Sequence, residues 1–421
     1  MSDHSYKRIS VIGLGYIGLP TAVMFASRKI EVVGVDVSQN VVDTINRGAI
    51  HIIEPDLDVA VHAAVQEGFL RATTMPEPAE AFLIAVPTPF QGADHEPDLS
   101  YIEAASKAIA RVLRPGNLVI LESTSPVGAT EAMADWLSEV RPDLTFPRGA
   151  GEASDIRIAH CPERVLPGKV MQELITNDRV IGGMTRACSA RAVALYKSFV
   201  TGDCVVASGP RVAELAKLTE NSFRDVNIAF ANELSLICDR LELDVWELIR
   251  LANRHPRVNI LQPGPGVGGH CIAVDPWFIV SSARNEARLI RTAREVNDSK
   301  PDWVMNKVRA AIGAHLMANP GKTAADVTVA VYGLSFKPNI DDLRESPALD
   351  IARAIAAEHT GPQLVVEPNI EELPKGLEAA HLVDLTAASA AEVHVMLVDH
   401  THFMSSVAPI GRIVDVRGVW G

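Results

Sequence analysis

Cys271 follows a stretch in which Gly264, Gly266, Gly268 and Gly269 are interleaved with Pro263 and Pro265. Glycine, lacking a Cβ, lets a ligand approach the backbone and lets the chain bend tightly. Downstream, Asp275 followed by Pro276 is a helix-start signal. The thiol is therefore expected about one turn ahead of a helix N-terminus, whose partial positive charge favours a thiolate. A nucleophilic cysteine is one reading. A small buried apolar residue, the usual fate of cysteine outside a disulfide, is the other. Asp275 reads equally as a helix cap or as part of a site. His270 invites a Cys-His dyad, but adjacent side chains diverge, so it reads as a loop histidine.

A second group of residues fits a dinucleotide. Gly13, Gly15 and Gly18, with Leu14, Tyr16 and Ile17 between them, form GxGxxG after an apolar run and before a helical one. The first glycine permits the turn, the second lets backbone approach a pyrophosphate, and the third lets helix pack on strand. Asp36 ends the next strand-like run, where a carboxylate can bind a ribose diol and repel a 2′-phosphate. No Arg follows it directly, so NAD is favoured over NADP.

Further polar strings have two readings each. Glu214, Lys217, Asn221 and Arg224 share one face of an otherwise apolar helix. Buried polar groups need partners, and an ion pair of Glu214 with Lys217 is slightly favoured over a ligand. Ser123, Thr124 and Ser125, ahead of Pro126 and Gly128, stand at the carboxyl edge of a strand, placed either for a ligand or to cap the next helix. Glu163 lies between Pro162 and Pro167 in a loop, where carboxylates are mostly solvated. Lys337 and Arg344 could grip phosphates or pair with Asp341 and Asp342.

The elements that must carry these residues alternate. Strand-like runs at 8–12, 31–36, 81–86 and 117–122, separated by helical patterns, predict a parallel sheet wrapped by helices. Runs at 156–160 and 180–182 extend it to about residue 205. From 210 to about 252 the pattern is continuously helical and apolar on several faces, as in a helix buried between domains or subunits. Another helix is expected over 285–317, and strand-like runs resume at 327–332, 363–366, 393–398 and 412–416. The expected class is α/β, with two Rossmann-like doubly wound domains at 1–205 and 321–421 joined by a central all-helical segment at 206–320. The 421 residues suggest two to three domains at about 150 residues each.

The 48% hydrophobic and 22% charged residues fit a globular protein and set disorder aside. A net charge of −13 argues against binding nucleic acid or an anionic membrane non-specifically. Five cysteines without CxxC spacing suggest neither a disulfide framework nor a metal site. No apolar run reaches membrane-spanning length and the N-terminus carries no export signal, so a cytoplasmic protein is expected.

Taken in order, these strings resemble the UDP-glucose/GDP-mannose dehydrogenase family across nearly the whole chain. The stretch from His255 and Arg257 through Cys271 to Trp277 resembles the branch acting on UDP-N-acetylhexosamines, with UDP-N-acetyl-D-mannosamine as the implied substrate. Ser125 is a departure, since Val is common there in the glucose-specific branch. The resemblance implies two NAD-dependent oxidations of the sugar's C6 alcohol to a carboxylate. It implies Cys271 as the nucleophile that captures the aldehyde, Lys217 and Asn221 as oxyanion donors, and Asp275 with Thr124 as the water-positioning pair. Glu163 would assist thioester hydrolysis. Gly13, Gly15, Tyr16, Ile17, Gly18, Asp36, Thr88, Thr124 and Arg344 would hold the cofactor. Glu163, Arg164, Lys217, Asn221, Arg224, Gly268 and Lys337 would hold the UDP-sugar, with Arg257 offered across a homodimer interface. No metal is implied.

Overall fold

The structure is a computed structural model describing residues 6–52, 54–92, 95–166, 168–269 and 271–420. The chain divides into two compact units, residues 1–220 and 221–421.

The first unit is built on an eight-stranded sheet. Its order is Cys204–Val206, Arg179–Gly183, Arg157–His160, Leu118–Leu121, Ala81–Ile84, Arg8–Ile12, Glu31–Val35, Leu70–Thr73. Ala81–Ile84 and Leu118–Leu121 are buried along their whole length. Strands of that kind read as unbroken apolar runs because helices cover both faces of a parallel sheet. Two apolar clusters, one around Phe25 and one around Phe82, fill the two sides. The order reverses direction beside Arg8–Ile12, and ligands of open α/β sheets bind at such switch points, outside the strand carboxyl ends.

One pairing departs from the parallel expectation: Arg157–His160 and Arg179–Gly183 run antiparallel. The chain between them forms only the short helix Val170–Thr176, whose Val170 and Leu174 join the apolar cluster of Phe25. The antiparallel pairing is brief, joining only Ala159 with Gly183 and His160 with Gly182.

In the second unit a five-stranded parallel sheet runs in the order His381–Leu382, Gln363–Val366, Val329–Tyr332, Val393–Met396, Arg412–Asp415. Two 31-residue helices stand out in the chain, Pro210–Arg240 and Arg288–Ala318. The first spans the division between the units and the second belongs to the second unit. No described helix is long and apolar enough to cross a membrane.

Candidate active site

In the first unit the glycine turn has the shape its spacing predicts. Gly13 adopts φ +89°, and a Cβ there would meet the Ala85 carbonyl oxygen at 2.6 Å. A Cβ on Gly18 would lie 1.8 Å from the Gly13 oxygen, so strand and helix meet only because both positions are bare. Gly15 differs: a Cβ there would face open space, the side from which a phosphate can approach backbone. The helix Gly18–Ser27 starts here with Ile17 at its N-cap, and Tyr16 packs on the apolar cluster beneath. Asp36 Oδ2 accepts from the Leu14 amide at 3.0 Å and Oδ1 from the Ser38 amide at 2.9 Å, so the carboxylate is fixed at the strand end. Thr88 Oγ1 is buried and has no hydrogen-bond partner among the described residues. An open glycine edge, an orphaned hydroxyl and an oriented ribose acceptor together fit a dinucleotide.

Thr124 is half-buried at the end of Leu118–Leu121, while its neighbour Ser123 donates to the Val86 carbonyl at 2.6 Å. The next helix, Ala129–Val140, is not capped by this Ser/Thr run. The Glu214 carboxylate takes that place, accepting from the amides of Gly128 at 2.7 Å and Thr130 at 2.8 Å and from Thr130 Oγ1 at 2.6 Å. An anion at a helix N-terminus is stabilised by the dipole and by the otherwise orphaned N–H groups. The expected Glu214–Lys217 pair is therefore not formed. Lys217 is half-buried, with no hydrogen-bond or ion-pair partner among the described residues.

Glu163 is likewise not solvated: it is buried and ion-paired to Arg179 at 2.5 Å, and its other oxygen accepts from the Arg164 amide at 2.6 Å. Beside it lies Glu122, fully buried, with Tyr196 donating to Oε1 at 3.0 Å. Burial, reinforced by the negative charge of Glu163, pushes the Glu122 carboxyl up to about 8. The Cys161 thiol in the same pocket is pushed up to about 12, chiefly by burial, which leaves it an inert core thiol. Arg164 is clamped to Glu220 by its guanidinium at 2.7 and 3.1 Å. Glu54 holds the far end of this loop, accepting from the amides of Gly168 and Val170 at 2.9 and 2.8 Å. Glu54, Glu122, Arg179 and Tyr196 were not marked by the sequence, because each lies far along the chain from the loop it supports.

In the second unit Cys271 is exposed, while Cys161, Cys188 and Cys238 are buried. Its carbonyl accepts from the amides of Val274 and Asp275 at 3.2 and 2.9 Å, a turn that leads into the helix Asp275–Ser282. Asp275 does not cap that helix. It is 3% exposed and accepts from Asn221 Nδ2 at 2.5 Å, so the carboxylate and the amide are seated on each other. His270 lies outside the described residues.

The glycine-rich loop before the thiol is held from below by a polar seam. Arg294 pairs with Asp225 at 2.7 Å, Asn297 donates to Asp225 at 2.8 Å, and Asn232 donates to Asn297 at 2.8 Å. The seam ends on the loop itself, where the Gly264 amide donates to Asn232 Oδ1 at 2.9 Å. A Cβ on Gly268 would lie 2.3 Å from the Glu345 carbonyl oxygen, so this glycine is required for packing.

The remaining cations are scattered. Arg224 and Arg257 are exposed, on the long helix and on a loop. Lys337 is half-buried, and Arg344 is exposed and held bidentately by Asp342 at 2.6 and 2.8 Å.

Comparison with known proteins bears on the whole chain. Residues 7–200 match the NAD binding domain of the UDP-glucose/GDP-mannose dehydrogenase family, 211–299 its central domain and 330–421 its UDP binding domain. The chain is 66% identical to the UDP-N-acetyl-D-mannosamine dehydrogenase of Salmonella typhi, over 99% of this chain and 100% of the relative. It is 61% identical to the NDP-N-acetyl-D-galactosaminuronic acid dehydrogenase of Ralstonia nicotianae, over 99% and 97%. Among solved structures, the UDP-D-ManNAc dehydrogenase of Pyrococcus horikoshii superposes with a TM-score of 0.85 at 38% identity, covering 98% and 96% of the two chains.

Proposed function

The chain belongs to the UDP-glucose/GDP-mannose dehydrogenase family, and on that premise we propose that it oxidises the C6 alcohol of UDP-N-acetyl-D-mannosamine to the uronate with two molecules of NAD. The observation that carries this reading is the exposed Cys271, one turn ahead of a helix whose first residue, Asp275, is buried against Asn221. A thiol gives a dehydrogenase the means to capture an aldehyde and oxidise it again.

NAD supplies the hydride acceptor for each of the two oxidations. Cys271 Sγ adds to the C6 aldehyde, forming the C–S bond of a thiohemiacetal, and the second oxidation makes this a thioester. Water then breaks that bond, releasing the carboxylate and returning the thiol. Lys217 and Asn221 hold the oxygen on which negative charge develops. Asp275, with Thr124, orients water and moves protons, and Glu163 assists the hydrolysis. Arg164, Arg224, Arg257, Gly268 and Lys337 bind the UDP-sugar, and Arg344 meets the cofactor pyrophosphate. Cations are what an anionic substrate requires on a chain of net charge −13. The test is NADH formation with a panel of UDP-sugars. About two NADH per sugar and a preference for the N-acetylmannosamine compound are expected. The relative of different sugar name at 61% identity makes UDP-N-acetylgalactosamine a necessary member of the panel, beside UDP-N-acetylglucosamine and UDP-glucose, and a clear preference for any of these three defeats the choice of sugar.

Asp36→Ala is expected to weaken NAD binding about tenfold, the worth of an oriented hydrogen-bonded carboxylate, and to relax discrimination against NADP. Identical cofactor constants in parent and variant would contradict this.

The working unit is a homodimer in the cytoplasm. Phe223, Phe230 and Ile237 are exposed at a spacing of seven along the helix Pro210–Arg240, and Val212 and Leu215 are exposed earlier on it. Such an apolar stripe on a soluble enzyme calls for a covering partner. Light scattering should give the mass of two chains, and a monomer would refute the assembly.

A further inference from the structure

The buried pocket behind Glu163 holds more acid than base. Glu122 sits at the end of Leu118–Leu121, Glu163 and Cys161 on the loop after Arg157–His160, Arg179 at the start of its strand and Tyr196 at the end of the helix Arg186–Tyr196. All five are buried. Two carboxyl groups face a single guanidinium, since neither Cys161 nor Tyr196 is ionised near neutral pH. A dry pocket does not tolerate an uncompensated charge, so one carboxyl must keep its proton. Geometry decides which. Both oxygens of Glu163 meet strong donors, the Arg179 guanidinium and the Arg164 amide. Glu122 meets only neutral hydroxyls, Tyr196 donating to Oε1 and the Thr21 hydroxyl nearby, and its Oε2 makes no hydrogen bond of good geometry among the described residues.

We propose that Glu122 carries the pocket's proton and is thereby a positioning residue: by remaining neutral it leaves the whole charge of Arg179 to Glu163 and keeps that residue fixed. The inference rests on the assignment of Glu163 to thioester hydrolysis for its effect on turnover, but the location of the proton does not depend on that assignment. Desolvation and the like charge of Glu163, which raise the Glu122 carboxyl to about 8, agree with this location.

The linkage has a definite sign. A carboxyl whose folded value lies above the ordinary 4.5 binds more protons folded than unfolded, so stability falls as pH climbs from 4.5 to about 8. Glu122→Gln, an isostere fixed in the neutral form, removes that fall.

The experiment compares parent and Glu122→Gln by infrared difference spectroscopy of the resting enzyme, by melting temperature against pH, and by the pH profile of uronate release. The parent should show a protonated-carboxyl band at pH 7 that fades through about pH 8, and the variant should lack it. The variant's melting temperature should hold level where the parent's declines. The parent's uronate release should fall as Glu122 ionises and competes for Arg179, and the variant should lose this alkaline limb. Tyr196→Phe, which takes away the donor to the ionised form, should shift the band's midpoint to higher pH. A band that survives in Glu122→Gln overturns the proposal. If the band is lost but the two release profiles coincide, the proton is where we place it and the link through Glu163 to hydrolysis is refuted.

Discussion

Cys271→Ser should retain NAD binding and lose acid formation by about 10³-fold or more, the scale on which removing a catalytic nucleophile acts. Gly13, Gly15, Gly18 and Asp36, the residues proposed to hold NAD, lie in the first unit and Cys271 in the second, so the substitution leaves them untouched. A serine hydroxyl at neutral pH is a far weaker nucleophile than a thiolate, and of the other four cysteines three are buried. The variant should therefore perform at most the first oxidation, and an aldehyde trap added to the assay should collect its product. NADH stoichiometry should drop from about two per sugar to about one under those conditions. Uronate produced at the parental rate would remove Cys271 from the mechanism.

The second large effect is on stability. Arg294→Met should lower it by roughly 3–5 kcal/mol, the cost of breaking a buried ion pair by taking away one partner. Arg294 and Asp225 are 2% and 0% exposed, and Asp225 Oδ2 already has no partner among the described residues. Without the guanidinium, Asp225 keeps only the Asn297 amide and its desolvation penalty. Burial already raises this carboxyl and Arg294 pulls it back, so the variant's carboxyl rises further. Its deficit should thus be largest at neutral pH and shrink on acidification, as Asp225 takes up a proton. The double variant Arg294→Met, Asp225→Asn should recover much of the loss, because the charge left alone is the source of the penalty. A melting temperature for Arg294→Met within a degree or two of the parent would sink this account. The seam's last bond, from Gly264 to Asn232, should loosen too, so the residual fold is expected to lose turnover more than NAD binding.

The distances over which these contacts act separate what is local in the sequence from what is not. GxGxxG, the acid at position 36 and the Asp275-Pro276 helix start are local, and the backbone they predict appears. A loop acid between prolines, such as Glu163, carries no local hint of its partner. Arg179 reaches it from 16 positions away and Glu122 from the end of a neighbouring strand. Spacing alone pairs Glu214 with the nearest lysine on its own helix, yet its carboxylate faces a helix N-terminus 84 to 86 positions back in sequence. A turn's worth of separation along a helix is a weak attraction at a surface, whereas three donors converging on one carboxylate are strong.

The amino-acid order alone thus determined the alternation of strands and helices, a glycine turn whose shape fits a dinucleotide, and the thiol's place ahead of a helix, since each follows from φ/ψ freedom or from side-chain period within a few residues. Only the tertiary structure decided which buried charges are matched and which must stay neutral. That choice depends on what topology brings within about 3 Å in a space without water, and nothing in the spacing of Glu122, Glu163 and Arg179 along the chain encodes it.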